Sequence, residues 1–404
     1  MKKIKTDALV ILWVAVWFPL LKPFLVSTTL SQLVATFIIL CIATLLLVLS
    51  KKQVLVPKAS FFFLFLSLII FTTGMYYGSP LQRLFSDSFR YLFFGIFVAI
   101  GYSSQINETK LATSLQKLCL YQVIFSCLVL LPPTYFFLDL FKGRLSDDEL
   151  FFHFFRFSGS LGYPTEFGCF LLIPLIHLTE QRKLFSSAQN IIFTLVCGVG
   201  ILASASRAAI LMGFVYAIIY LISGLLKALG KLKVHLQYLS MFILIVCFGL
   251  MISVVVQFQR EQLSLLGYVL SIFNELDSSI LHRFKEISLS LKILNGELTV
   301  PTGEERLRPF GLDVLESFFG SVVIRFGWIG AFTFFVSIAF YAYYLKLAHE
   351  RSIYRSVFIW FFLAYVVVSP FSEVIFRSKG TIIFGILFGI CVRGIQMGNK
   401  KFRR

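Results

Sequence analysis

Charge is what this sequence has least of. Only 14% of its 404 residues are Asp, Glu, Lys or Arg, against roughly a quarter in soluble domains. The acidic sign is the scarcer, with 20 Asp and Glu facing 37 Lys and Arg. Histidine is down to five, and His153, His177, His235, His282 and His349 lack ligand spacing, so no metal site is expected. The seven cysteines (Cys41, Cys119, Cys127, Cys169, Cys197, Cys247 and Cys391) contain no CxxC pair and all lie in apolar segments. That argues against a disulfide framework and for small buried hydrophobes. No GxxxxGKS/T, GxGxxG or HExxH motif occurs, so nothing signals ATP, a dinucleotide or a zinc-protease centre, and no cofactor is expected. Neither an internal repeat nor a Pro- or Gly-rich linker divides the chain. One integral domain, 1–404, is the expectation.

What fills the chain is apolar: 58% hydrophobic residues, 48 of them Phe, with a mean hydropathy of +0.86. Runs of about 18 or more apolar residues recur along its length, which is the signature of a polytopic all-α membrane protein. The net charge of +17 therefore has a topological meaning, since cytoplasmic loops carry Lys and Arg; no nucleic-acid partner is expected. The start, MKKIKTD before an apolar run, has no small-residue cleavage site after it and reads as an uncleaved first span.

Hydropathy places about twelve transmembrane helices, with both termini cytoplasmic. Lys51, Lys52, Lys58, Lys110, Lys117, Arg182, Lys183, Lys227, Lys231, Lys233, Lys346, Arg351, Arg355 and the tail NKKFRR fall on the inner face. A turn with Arg83 and Asp87 precedes a fourth span at about 88–102, and a tenth span starts at Trp328. Two longer loops fall outside, 139–166 and 258–327, the second carrying a re-entrant or amphipathic segment.

A second basic group then falls on the outer face against the rule: Arg90, Lys142, Arg144, Arg156, Arg207, Arg283, Lys285, Arg306, Arg308 and Arg325. Arg207 is the most informative, standing between two apolar helices with almost no loop. An arginine at such depth costs up to a few kcal/mol unless it snorkels or meets a partner. Arginine suits bidentate contact with phosphate or carboxylate, so an anionic lipid headgroup such as a pyrophosphate is the simplest target. Asp147, Asp148, Glu149, Glu166, Glu304, Glu305, Asp313, Glu316 and Glu373 are the outer acids, all at loops or span ends. The expectation is that none sits at mid-membrane, where ion-coupled transporters usually keep a titratable group.

Four segments in this order resemble motifs of the O-antigen polymerase and ligase superfamily of bacterial envelope proteins. They are RFSGSLGYPTEFG, SASRAA, SSILHRFKEISLSLKILNG and GLDVLESFFGSVVIRFGWIGAFTFF. The resemblance covers roughly Phe152 to Tyr344; the spans before it match in hydropathy alone. It implies a fold of about a dozen helices with a large periplasmic loop, similar to membrane-embedded (GT-C-like) glycosyltransferases, in the bacterial inner membrane. It implies an activity without nucleotide sugar or ATP: joining undecaprenyl-pyrophosphate-linked oligosaccharides at the outer face, with membrane lipids, a flippase and a chain-length regulator as surroundings. Asp313 stands where the ligase branch typically has His, which favours polymerase; Thr165 and Glu166 follow Pro164 where polymerases often show Asn.

On that footing Arg207 and Arg156, then Arg283 and Arg90, are expected to hold the pyrophosphate. Asp313, then Glu316 or Glu166, is expected to act as general base. Glu316 and Arg325 are alternatively a structural pair, and His153 and His282 stand beside arginines where they could assist binding. Ligase, and a lipid-linked oligosaccharide flippase from a different class, remain the competing readings.

Overall fold

In the computed structural model the described residues are 8–18, 28–49, 55–129 except 105, 158–228 except 162 and 205, 278–300, 307–310, 315 and 317–402 except 371, 373, 377 and 378. Among them every regular element is helical. In chain order they are α1 (Ala8–Trp17), α2 (Thr28–Leu49), α3 (Lys58–Tyr76), α4 (Leu81–Tyr102) and α5 (Glu108–Val129). A 3-10 turn (Gly159–Leu161), α6 (Pro164–Glu180), α7 (Ala188–Ala203) and α8 (Arg207–Ala228) follow. The rest comprises α9 (Ser278–Leu294), a 3-10 turn (Arg308–Phe310), α10 (Phe318–Leu347), α11 (Ile353–Leu363) with a π-helical continuation (Ala364–Val368), and α12 (Gly380–Phe402).

Four of these are long and apolar enough to cross a membrane, within Lys58–Tyr76, Glu108–Val129, Phe318–Leu347 and Gly380–Gly398. The bundle is apolar on its outer surface as well as inside. Ile191, Ile192, Leu195, Val199 and Leu202 line the exposed face of α7, and Phe61, Phe65 and Leu68 that of α3. Spacings of three and four put each set on one helical stripe. A bundle that shows stripes of Phe and Leu to its surroundings, with its backbone polar groups used up in helices, fits a bilayer. Cys119, Cys169, Cys197 and Cys391 are buried as expected, but Cys41 and Cys127 are exposed. In apolar surroundings a thiol facing outward needs no burial.

The connections sort to two ends. At one end the Ala8 N–H donates to Ser104 Oγ, the Leu55 N–H to Ser103 Oγ, and Tyr354 OH to the Ile106 carbonyl. This end gathers Lys58, Arg182, Lys183, Arg351 and Arg355. His177 is buried here, between Ser356 Oγ at 3.3 Å and Gln181 at 2.9 Å. The 3-10 turn 159–161, the α7–α8 turn and the N-termini of α6, α10 and α12 lie at the opposite end.

The tightest helix pair is α4 with α12, and glycine makes it. A Cβ on Gly389 would lie 2.1 Å from the Val98 carbonyl oxygen, and one on Gly385 2.9 Å from Phe97 Cβ. Gly385 and Gly389 are spaced as a GxxxG pair, which lets backbones touch where lipid offers no hydrophobic drive. The G389V variant is therefore expected to lose about 1–3 kcal/mol or more in thermal unfolding of the detergent-solubilised protein. G398A, at a glycine with nothing within 4 Å, serves as the control, and an equal loss in both would remove backbone contact as the cause.

Helices start earlier than hydropathy places them. α4 begins at Leu81, so Arg83 and Asp87 lie within the helix and not in a turn before it. α5 begins at Glu108, taking Lys110 and Lys117 into its first turns. Hydropathy marks the apolar middle of a helix, whereas backbone hydrogen bonding carries it onward through polar residues. The start at Trp328 has a physical counterpart. α10 is broken at Gly327, whose φ of 57° and ψ of −136° are not helical, a conformation that glycine adopts cheaply. Phe318–Phe326 thus forms a short arm before the long span.

Candidate functional site

Two of the four motif segments meet at the end opposite the basic face. Tyr163 is extended (φ −124°, ψ 130°) and Pro164 takes the first turn of α6, the position where a missing N–H costs nothing. Glu166 follows in that turn, where the helix dipole favours an acid. The α7–α8 turn is built by serines: Ser204 Oγ donates to the Ile201 carbonyl and accepts from the Ser206 N–H, and Ser206 Oγ accepts from the Ala209 N–H at 3.3 Å. Ser206 thereby caps α8, and Arg207 is the first residue of that helix. Gly168 seats the turn on α6; a Cβ there would lie 2.8 Å from both Ser204 Oγ and Ala209 Cβ. The SASR turn and the YPTEFG helix start are thus one structural unit.

A buried polar tether holds the 3-10 turn just before α6. Gln122 of α5 accepts from the Ser160 N–H at 2.8 Å, and its Nε2 lies 2.8 Å from Ser160 Oγ. Ser160 Oγ reaches the Val16 carbonyl at 2.6 Å. Lys379, at the start of α12 and only 2% exposed, donates to that same Val16 carbonyl at 3.2 Å and to the Ser160 carbonyl. Lys379 stands in the connection between helices. Burial pulls its pKa down to about 7, and the Glu166 carboxylate opposes that pull. Glu166 itself is 1% exposed.

The other two motif segments pair in the same way. α9 lies along the short arm of α10, with Leu289 and Ile293 packed beside Ile324 and Leu307. Glu286 is fully buried, and its Oε2 accepts from the Ser317 N–H at 2.8 Å. Ser317 caps α10 by accepting from the Gly320 N–H at 2.9 Å. The Ser369 carbonyl accepts from both the Phe318 and Phe319 N–H groups, so the start of α10 is held from two sides.

The π-helical turn, Ser369 and Lys379 join the two units. The π-helical turn Ala364–Val368 packs against α8, Ser369 behind it holds α10, and Lys379 holds the turn before α6. Single π-helical turns in helices are frequent at functional sites.

Of the residues singled out from sequence, Arg207 and Glu166 are brought to one place. Arg283 is half-buried on α9, next to His282. Arg90 is half-buried on α4, three residues after Asp87. Asp87 is buried and pairs with Arg325 of α10 at 2.6 Å. Asp87, expected in an outer turn, is thus a structural partner of Arg325 within the bundle. Arg156, Asp313 and Glu316 lie outside the described residues. The sequence reading missed Lys379, Gln122 and Glu286. Lys379 looked like one more charge before an apolar run, and only Glu286 left a trace, in its spacing of four from His282. Compared with known proteins, the chain matches no family model and no curated protein.

Proposed function

We propose that this protein is a multi-pass enzyme of a bacterial inner membrane that polymerises undecaprenyl-pyrophosphate-linked oligosaccharide repeats at the outer face. About twelve spans, cytoplasmic termini and a likeness to membrane-embedded glycosyltransferases belong to the same reading. One observation carries it. The segments resembling the superfamily's motifs, far apart in sequence, pack in pairs at the end of the bundle opposite the basic face, and Arg207 opens a helix there. A lipid pyrophosphate arriving from the membrane would meet this end.

The donor carries its own leaving group, so the protein has to position two glycans and stabilise charge. Arg207, Arg156, Arg283 and Arg90 are assigned to the pyrophosphate, whose oxygens take bidentate contacts. The acceptor is the terminal sugar hydroxyl of the other lipid-linked chain. Deleting the gene in its host tests the reading. A surface polysaccharide reduced from a ladder to a single attached repeat is the expected result. If no repeat reaches the surface and lipid-linked material accumulates, the protein is a ligase or a flippase.

A further inference from the structure

Taking glycan transfer at this end as the reaction, we propose that His282 is the base that deprotonates the acceptor hydroxyl, oriented by the buried carboxylate of Glu286.

Glu286 is the one acid of α9 placed wholly inside the protein. Its Oε2 is fixed by the Ser317 N–H at 2.8 Å, at the N-terminus of α10, where the helix dipole favours the ionised form. Its Oε1 lies 3.4 Å from His282 Nε2, one helical turn earlier on the same face. The imidazole keeps 21% of its side chain exposed, against none for the carboxylate. An ordinary surface pair of this spacing has both members in water and adds little. Burying a carboxylate completely is costly unless it is fixed and paired, and here it is fixed on a helix start and directed at a ring that reaches the surface. A carboxylate on Nε2 selects the tautomer with the proton on that nitrogen, so Nδ1 carries the lone pair that takes a proton.

The dyad is connected to the motif pair around Arg207. Ser317 and Phe318 are tied through Ser369 to the π-helical turn, and that turn packs along α8, which Arg207 begins. In the step itself the acceptor O–H bond breaks and its proton passes to His282 Nδ1. The freed oxygen forms the new bond to the donor's anomeric carbon. The bond from that carbon to the pyrophosphate oxygen breaks, its electron pair leaving with undecaprenyl pyrophosphate, and the imidazolium returns its proton to water. A base on α9 does not depend on Asp313, Glu316 or Glu166.

The test uses full-length protein in membranes, with the lipid-linked repeat extracted from the deletion strain as substrate. H282Q keeps an N–H to face Glu286 and loses the base. Its kcat should fall by about 10²–10⁴-fold, with KM within about threefold of wild type and an unchanged amount of protein. E286Q should lower kcat less, again at constant KM, and added imidazole should restore part of the H282A rate. Polymer made by wild type and equally fast by H282Q overturns the dyad and leaves the polymerase reading standing. A slow E286Q beside a fast H282Q gives Glu286 a purely structural role and also overturns it. Wild-type membranes that join no repeats overturn the polymerase reading and the dyad together.

Discussion

Replacing Lys379 with Met should destabilise the protein by about 3–5 kcal/mol, the usual cost of removing one member of a buried ionic set. Methionine nearly matches lysine in length and removes only the ammonium. The Val16 and Ser160 carbonyls then lose the ammonium as a donor. The cation facing Glu166 goes as well. These groups join α1, the turn before α6 and the start of α12, three pieces far apart in sequence, so the damage is shared by all three. Thermal unfolding of the detergent-solubilised protein reads the loss, and the level of K379M in the membrane should fall with it. A K379M protein as stable as wild type would mean that the tether contributes nothing.

Arg207→Ala should abolish polymer while the protein stays folded in the membrane. Loss of one charge-stabilising donor costs about 2–4 kcal/mol in the transition state, which is about 30- to 1000-fold in rate. The fold should survive because α8 is capped by Ser206 and its start is seated by Gly168 and Ala209. Lysine at 207 should restore only part of the rate, since an ammonium is a point charge and cannot make the two parallel contacts of a guanidinium. The surface ladder and the rate of repeat joining in membranes both report it. Wild-type chain lengths from R207A would remove Arg207 from the site.

How far each residue could be read depended on whether its partner was near in sequence. Arg207 was legible because an arginine between two apolar runs with no loop is costly by itself, whatever surrounds it. Glu166 was legible as an outer acid bordering a span, although the helix that takes it in starts at Pro164. Its partner was not, because Lys379 lies 213 positions further on and resembles the other lysines that border apolar segments. Asp87 and Arg325, 238 residues apart, each looked like an interface charge, and only contact between α4 and α10 turned them into a pair. Glu286 sits in the most polar stretch of the chain, where one more acid attracts no notice until Ser317 closes over it.

Local chemistry thus determined the class of protein and its vocabulary. Apolar periodicity set the helices, lysines and arginines marked one end, glycine at 327 and proline at 164 set a break and a start, and the unusual arginines singled out candidate residues. All of these act through the bilayer, the backbone or neighbours within a turn or two, so they are written in consecutive residues. Tertiary structure alone decided which charges are buried, which are paired, and that Gly168, Gly389, Lys379 and Ser369 are the points where distant helices are held together. Those outcomes depend on helix contacts between residues hundreds of positions apart, and no local pattern records which surface a helix will meet.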